Sequence, residues 1–165
     1  MKHLEIEMKT LLSEEEYNRL QAQFLEVTPI TQKNYYLDTP DFYLRKHKIA
    51  MRIRTFDTSA ELTIKIPQKV GNMEYNQALT LEEANDCLED CKLPQGMIME
   101  ELKNRGLSPN GWVVLGCLTT VRYEKETAIG LMALDQSHYF DIVDYELELE
   151  VENGAQGNLD FQEFL

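Results

Sequence analysis

The feature that most constrains this chain is a set of segments in which apolar and charged side chains strictly alternate. Leu4, Ile6 and Met8 alternate with charged residues, which is the period-two pattern of a β-strand. A solvated β-face normally mixes Thr, Ser, Gln and Asn with its charges. The polar positions here are instead dense in Glu, Arg and Lys: Glu5, Glu7, Lys9, Arg52, Arg54, Lys65, Glu74, Arg122, Glu146, Glu148 and Glu150.

Closure of the sheet on itself would explain this concentration of charge. The chain also contains helical segments with apolar stripes, two of them opened by the capping boxes Ser13–Glu16 and Thr80–Glu83. Helices on the outside would cover the apolar strand faces, and the charged faces would line the interior. We therefore predict an α+β fold, a closed antiparallel β-barrel of about eight strands. The alternative is an open sheet whose charged face meets water.

The predicted elements occupy a single domain over residues 1–165 without a linker or internal repeat. Strands are predicted over 3–11, 33–38, 49–56, 61–67, 72–80, 112–125, 127–135 and 141–152. Helices are predicted over 13–26, 80–92, 96–105 and from about 159 onwards, with a short connector over 42–46. Gly106 is expected to end the helix over 96–105.

The charge of the chain restricts its partners. A net charge of −13 disfavours nucleic acid, because a phosphate backbone would be repelled over most of the surface. A lumen with carboxylates on one wall and Arg and Lys on another would instead suit a metal–polyphosphate complex, which supplies a cation and an anion together. No signal peptide or membrane-spanning run is readable, so a cytoplasmic location without membrane association is expected.

Histidine and cysteine give little support to other chemistries. The three cysteines, Cys87, Cys91 and Cys117, have no metal-finger spacing, and we interpret them as reduced thiols. His3, His47 and His138 have no partner at ligand spacing. The sequence also has no glycine-rich phosphate loop and no Gly-x-Ser-x-Gly motif.

Several short motifs occur in a fixed order along the chain. The first is Glu-x-Glu-x-Lys at residues 5–9. It is followed by Tyr-Leu-Asp-Thr-Pro at 36–40, Met-Arg-Ile-Arg at 51–54, Leu-Thr-Ile-Lys at 62–65, Thr-Val-Arg at 120–122, Leu-Asp at 134–135 and Tyr-Glu-Leu-Glu-Leu-Glu at 145–150. In sequence and order these motifs resemble those of the CYTH domain, the family of triphosphate tunnel metalloenzymes. The resemblance covers nearly the whole chain and implies a closed antiparallel tunnel.

The resemblance also implies roles for individual side chains. Glu5 and Glu7 would bind a divalent metal, Mg²⁺ or Mn²⁺, with help from Glu146 or Glu148. Phosphate oxygens would be held by Lys9, Arg52, Arg54, Lys65 and Arg122. Glu5, Glu7 and Lys9 would form the catalytic set. Glu74 and Asp135 match further acidic positions of the lumen, and Glu150 continues the acidic face towards its rim.

The implied activity is metal-dependent hydrolysis of inorganic triphosphate or of a triphosphorylated small molecule. The family also includes class IV adenylyl cyclases, and a non-catalytic module that binds polyphosphate or nucleotide is a third alternative. Members of the family usually continue with a C-terminal helix and strand, whereas this chain ends at Phe164-Leu165 in an apparent helix. Either the chain is truncated or the barrel lacks a wall. The oligomeric state stays open, a dimer included.

Overall fold

The computed structural model describes residues 2–165, which contain eight strands and five α-helices. The strands are β1 Lys2–Leu12, β2 Ile30–Asp38, β3 Ala50–Thr55, β4 Ala60–Pro67, β5 Asn72–Leu79, β6 Val113–Thr127, β7 Gly130–Tyr139 and β8 Ile142–Val151. The helices are α1 Glu14–Gln21, α2 Tyr43–Lys46, α3 Leu81–Asp90, α4 Met97–Asn104 and α5 Gly154–Phe164. One 3₁₀ turn, Ala22–Phe24, follows α1.

The eight strands form a closed barrel in the order β1-β5-β4-β3-β2-β6-β7-β8. The ladders β1–β8, β2–β3, β3–β4, β4–β5, β6–β7 and β7–β8 are all antiparallel. This confirms the predicted fold class. Among the described residues, no helix combines the length and the apolar character that crossing a bilayer requires.

The chain divides into two compact units, each with its own apolar core. The first comprises the residues up to Leu4 and Lys33–Cys117. Its core packs alternate side chains of β3 and β4, among them Ile53 and Leu62, together with Leu44 of α2, Ala84 of α3 and Ile98 of α4. Because strand side chains alternate, the residues between these core positions lie on the opposite face of the sheet, away from the helices.

The second unit comprises Glu5–Gln32 and Leu118–Leu165. Its core joins apolar side chains of β7 and β8 to Tyr17 of α1, Phe24 of the 3₁₀ turn and Phe161 of α5. Leu134 and Leu147 are completely buried in this core. The charged positions of β7 and β8 alternate with these residues, so they too lie on the face turned away from the helices.

Most element ends agree with the sequence predictions to within one to three residues, and both predicted capping boxes are present. Three ends differ more. The first helix stops at Gln21 and tightens into the 3₁₀ turn instead of continuing to residue 26. Strand β7 ends at Tyr139 rather than at residue 135, because its ladder with β8 continues to the Tyr139–Ile142 pair. It begins at Gly130 rather than at residue 127, because Thr127 still belongs to β6 and the chain turns at residues 128–129.

The predicted start of the last helix, at residue 159, was wrong. Helix α5 begins at Gly154, where the Asn153 side chain accepts a hydrogen bond from the backbone N–H of Gln156. Gly154 and Gly157 in its first turns are poor helix formers and hide the helical pattern in the sequence. The Asn153 cap and the packing of Phe161 in the second core stabilise the helix despite them.

Candidate functional site

The second unit gathers carboxylates from β7 and β8 into one cluster. The register places Asp135 opposite Glu146, and Arg122 of β6 opposite Asp135, so these three side chains form a row across three strands. Glu148 lies two residues further along β8 on the same face. One carboxylate oxygen from each of Asp135, Glu146 and Glu148 lies within 4.8 Å of the other two. We name these three residues the carboxylate cluster.

Arg122 is bound tightly to this cluster. Its Nε donates to Asp135 Oδ1 at 2.8 Å, and its Nη2 donates to Asp135 Oδ2 at 2.7 Å and to Glu148 Oε2 at 3.2 Å. Burial lowers the pKa of the guanidinium, but the hydrogen bonds and charge of Asp135 and the charge of Glu148 raise it by more. Arg122 therefore stays charged and fixes the positions of two carboxylates.

Even with Arg122 present, the carboxylate cluster carries more negative charge than its surroundings neutralise. Burial raises the pKa of Glu146 to about 7, together with the hydrogen bond and the charge of Glu148, while Lys9 opposes the shift. A carboxyl group that retains its proton near neutrality marks a place where a cation would be stabilised. Three carboxylate groups at this spacing are the hard oxygen donors that Mg²⁺ and Mn²⁺ prefer, so the residues present fit a divalent metal ion.

The three residues of the Glu-x-Glu-x-Lys signature lie on β1, next to β8. Glu7 pairs with Glu150 and Lys9 pairs with Glu148 in the β1–β8 ladder. Glu5 is 7% exposed, whereas the Lys9 side chain is largely exposed and its Nζ lies 3.9 Å from Glu7 Oε1. The alternation that was read from the sequence therefore places these residues on the polar face of β1.

The first unit carries most of the predicted phosphate ligands on the polar faces of β3 and β4. Arg52 lies between Tyr36 and Thr63 in the ladders, and Arg54 lies between Asn34 and Glu61. Arg54 Nε donates to Asn34 Oδ1 at 2.6 Å, and its Nη1 lies 3.9 Å from Glu61 Oε1.

The two arginines differ in their contacts. Arg52 Nε is buried and has no hydrogen-bond partner among residues 2–165. A buried guanidinium N–H without an acceptor is costly, and phosphate oxygen is among the acceptors that satisfy such a group best. Arg52 therefore has an N–H donor to offer an anion.

Lys65 and Glu74 form the other charged group of the first unit. They are paired in the β4–β5 ladder, with Lys65 Nζ 3.6 Å from Glu74 Oε2. Glu74 Oε1 accepts from Asn76 Nδ2 at 2.9 Å and lies 4.0 Å from His3 Nε2. Asn76 Oδ1 in turn accepts from Thr63 Oγ1 at 2.7 Å. Buried Glu74 is therefore held in a polar network beside the lysine.

Sequence reasoning missed several polar residues that position these groups. Asn34 and Asn76 were not among the candidates, although both occur at alternating positions on strands whose polar faces were otherwise noted. Asp135 was expected only as a further acidic position, yet it lies at the centre of the carboxylate cluster and bonds Arg122. The cross-strand register, which the sequence alone does not reveal, brings Asp135 beside Glu146.

The fold and these side chains together define a class of protein. It is a closed antiparallel barrel with external helices, whose strands carry a carboxylate cluster suited to a divalent cation and a separate set of Arg and Lys suited to phosphate. The chain belongs to the CYTH domain family, whose sequence profile matches residues 3–165. This confirms the resemblance that the motifs indicated, and membership of this family implies a divalent metal ion.

Individual relatives agree with this assignment. The chain is 35% identical over 164 residues to a Bacillus subtilis protein named "Putative triphosphatase YjbK", covering 98% of this chain and 85% of that protein. A crystal structure of a "putative adenylate cyclase" from Bacillus halodurans superimposes with a TM-score of 0.92 at 36% identity, covering 99% of this chain and 89% of that one.

A more distant structure shows the same fold. It is the Hippeastrum protein HpAC1, described as a "putative adenylyl cyclase" that has a dominant triphosphatase activity. Its TM-score is 0.83 at 22% identity, and the match covers 98% of this chain and 86% of that one. At this identity the likeness establishes the fold alone.

Proposed function

We propose that this protein is a metal-dependent triphosphatase that hydrolyses the terminal phosphoanhydride bond of inorganic triphosphate or of a triphosphorylated small molecule. The observation that carries the proposal is the carboxylate cluster, three oxygen-donor groups within 4.8 Å of one another. The name of the Bacillus subtilis relative supports the same activity. The net charge of −13 favours a small anionic substrate with its own metal over a nucleic acid.

Mg²⁺ or Mn²⁺ is the proposed cofactor, because oxygen-only donor sets suit both ions. Asp135, Glu146 and Glu148 would hold it, and the family signature adds Glu5 and Glu7. When bound, the metal neutralises phosphate charge and favours attack by water. Arg122 keeps Asp135 and Glu148 in place for this task.

Arg52, Arg54 and Lys65 are the proposed phosphate ligands of the first unit, and Lys9 and Arg122 those of the second. Fixed cations lower the barrier to phosphoryl transfer, because they stabilise the charge that moves onto the phosphate oxygens. Asn34 accepts a hydrogen bond from the Arg54 guanidinium, so this ligand is oriented before substrate arrives. Asn76 holds Glu74, which lies 3.6 Å from Lys65 Nζ. Arg122 already contacts two carboxylates, which leaves less of its donor capacity for phosphate than Arg52 has.

Phosphate release from inorganic triphosphate, thiamine triphosphate and ATP, each with Mg²⁺ or Mn²⁺, tests the proposal. We expect Glu7→Gln to reduce release by at least about a hundredfold, because it removes a carboxylate charge from the metal-binding face. Glu15→Gln is the matched control: Glu15 is exposed on α1, and its replacement should leave turnover unchanged. Undiminished release by a folded Glu7→Gln variant would contradict the assignment.

Adenylyl cyclase activity is the second candidate, favoured by the name of the Bacillus halodurans relative. Cyclisation would use the same metal and triphosphate ligands but the ribose 3′-hydroxyl as nucleophile. Product analysis with ATP separates the two reactions. Orthophosphate release supports the triphosphatase, whereas cyclic AMP with pyrophosphate supports the cyclase. Tight binding of triphosphate without either product would assign a non-catalytic binding module.

A further inference from the structure

The connection between β2 and β3 contains the run Arg-Lys-His-Lys, and all four side chains are exposed. The run stands out because the chain has 29 Asp and Glu residues against 16 Lys and Arg. Within the described residues, Arg45, Lys46 and Lys48 form no ion pair shorter than 4.0 Å, whereas Lys125 Nζ lies 3.0 Å from a glutamate oxygen. We name Arg45, Lys46 and Lys48 the basic turn.

The strand registers place the basic turn at a defined end of the first unit. Strand β3 begins with Ala50, which pairs with Lys65 near the end of β4. The β4–β5 ladder ends at the pair Pro67–Asn72. The β2–β3 and β4–β5 connections therefore leave the antiparallel sheet at the same end. Exposed Lys69 belongs to the second connection, and together the two connections contain four Lys and Arg residues but one acidic residue.

Basic side chains continue from this end along the polar face of the sheet. Arg52 follows Ala50 by two residues, so both lie on the same face of β3, and Ala50 pairs with Lys65. Lys65 and Arg52 are therefore diagonal neighbours on adjacent strands, about 7–8 Å apart. Arg52 Nε is buried without a hydrogen-bond partner among residues 2–165. An anion that moves inward from the basic turn would thus meet the proposed phosphate ligands next.

The backbone of the basic turn is fixed by its contacts. Asp38 Oδ1 accepts a hydrogen bond from the Leu44 N–H at 2.9 Å, and Oδ2 accepts one from the Arg45 N–H at 3.1 Å. The Leu44 side chain is 1% exposed and packs in the core of the first unit. The His47 ring stacks on Tyr43 with 4.2 Å between the ring centroids. The three charges are therefore held at this end of the strands.

Lys48 occupies a backbone conformation that favours glycine, with a φ of 59°. Its N–H donates to Arg45 O at 3.1 Å, and the Ile49 N–H donates to Leu44 O at 2.8 Å. These are the two hydrogen bonds of a Schellman motif, in which glycine usually takes the left-handed position after the helix. Lysine is strained there, so glycine would be the more stable residue. A strained position that adds a charge to the basic turn points to a role in function.

Charge identifies the partner that fits the basic turn. A net charge of −13 repels anions over most of the surface, so an anion approaches where basic side chains lack acidic partners. A nucleic acid is large enough to meet the acidic surface as well, whereas a triphosphate group is small enough to contact the basic turn alone. The continuation of positive charge to Lys65 and Arg52 links this anion to the proposed site.

We propose that the basic turn captures the triphosphate group of the substrate and directs it to Lys65 and Arg52. The proposal rests on the proposed triphosphatase function and adds the surface by which the anion first binds. Because the attraction is electrostatic, it raises the rate of productive encounter and is weakened by salt. The basic turn takes no part in the chemical step, so kcat does not depend on it.

The dependence of kcat/KM for inorganic triphosphate on ionic strength tests the proposal. At about 0.01 M salt, Lys46→Gln/Lys48→Gln should lower kcat/KM at least about fivefold and leave kcat unchanged. The difference should disappear at about 1 M salt, where the Debye length is about 3 Å. Lys92→Gln/Lys103→Gln is the charge-matched control, because both lysines are exposed in the part of the first unit that contains α3 and α4. It should follow the wild type at both salt concentrations.

Two substitutions of Lys48 separate its charge from its backbone conformation. Lys48→Gly relieves the left-handed strain, so it should raise the urea midpoint above that of the wild type while lowering kcat/KM at low salt. Lys48→Arg keeps the charge and should retain the wild-type kcat/KM. If Lys48→Gly is as active as the wild type at low salt, the Lys48 charge does not contribute to capture and the proposal is wrong.

Binding of diimidotriphosphate, a non-hydrolysable analogue, is measured by titration calorimetry with Mg²⁺ and does not depend on turnover. Salt-sensitive binding that weakens in Lys46→Gln/Lys48→Gln supports capture even if the wild type releases no phosphate, a result that would contradict the triphosphatase alone. Equal kcat/KM for this double variant and its control at low salt would overturn capture and leave the triphosphatase intact. RNA or phosphatidylserine vesicles that bind through Lys46 without any change in kcat/KM would overturn it equally. A wild type that neither binds the analogue nor hydrolyses triphosphate would overturn both.

Discussion

Arg122 and Asp135 form a buried, doubly hydrogen-bonded ion pair in the second unit. Asp135 is 5% exposed, and both of its oxygens accept hydrogen bonds from the guanidinium. Removing one member of such a pair leaves the other charge buried and unpaired, which typically costs about 3–5 kcal/mol. We expect Arg122→Gln to lower the free energy of unfolding by about 3 kcal/mol, measured by urea denaturation in the presence of a chelator.

The control for this change is an exposed ion pair in the same unit. Lys125 Nζ lies 3.0 Å from Glu26 Oε1, and the Glu26 side chain is 65% exposed. Surface pairs of this kind contribute about 0–1 kcal/mol, so Glu26→Gln should change the unfolding free energy little. If the two substitutions cost the same, the Arg122 contacts do not have the structural role assigned to them.

Glu146 makes the stability of the metal-free protein depend on pH. Its folded-state pKa is raised to about 7 from 4.5, first by burial and then by Glu148. Because the folded state binds this proton more tightly than the unfolded state, the contribution of Glu146 is favourable at low pH. It is lost as pH rises from about 4.5 through 7.

We therefore expect Glu146→Gln to be more stable relative to wild type at pH 8 than at pH 5. Urea midpoints measured at both pH values with a chelator present provide the test. Glu126→Gln, on the exposed part of β6, serves as the control and should follow the wild-type profile. Parallel pH profiles for wild type and Glu146→Gln would exclude a raised pKa at Glu146.

At the scale of elements, Gly157 shows how closely α5 packs on β8. A Cβ added at this position would lie 2.5 Å from Val151 Cγ2 and 2.8 Å from its Cγ1. Alanine normally stabilises a helix interior by about 1 kcal/mol relative to glycine. Overpacking typically costs about 1–3 kcal/mol, so we expect Gly157→Ala to destabilise the protein.

The double variant Gly157→Ala/Val151→Ala separates the two effects. Truncating Val151 should remove the clash, so adding Gly157→Ala to Val151→Ala should no longer destabilise. Thermal or urea denaturation of the four proteins completes the cycle. A single Gly157→Ala variant that is more stable than wild type would show that α5 moves freely away from β8.

A comparison of the elements shows which features of the fold could be predicted from the sequence and which could not. The alternation of residues 3–11 and the capping boxes at Ser13 and Thr80 are local signals, and the structure confirms them. The start of α5 depends on Asn153 and on contacts with β8, which outweigh two glycines that disfavour a helix. Local propensity is overridden wherever packing contributes more free energy than the propensity difference.

At the scale of the whole molecule, the carboxylate cluster predicts stabilisation by divalent metal. A ligand that binds only the folded state stabilises it by about 2.7 kcal/mol at a hundred times its dissociation constant. We expect Mg²⁺ or Mn²⁺ to raise the melting temperature of the wild-type protein at pH 8. The rise should be much smaller for Glu148→Gln, which removes a carboxylate of the cluster.

Glu15→Gln is the matched control for this measurement, because Glu15 lies on the exposed side of α1. It should retain the full metal-induced rise. An equal rise for Glu148→Gln would show that the metal binds elsewhere. The sequence predicts a single domain, so we expect the chain to melt in one cooperative transition although it divides into two compact units. A calorimetric scan of the metal-bound protein tests that prediction.

The sequence by itself determined the strands, the face of each strand that carries charge, and the motifs that identify the family. These follow from alternation and short spacing, which are local properties of the chain. Tertiary structure determined which charged side chains lie next to each other. Asp135 lies beside Glu146 and Glu148, and Arg122 donates hydrogen bonds to Asp135 and Glu148. The reason is that the register of β6, β7 and β8 places residues that are distant in sequence next to each other. Register is a property of paired strands, so no single strand contains it.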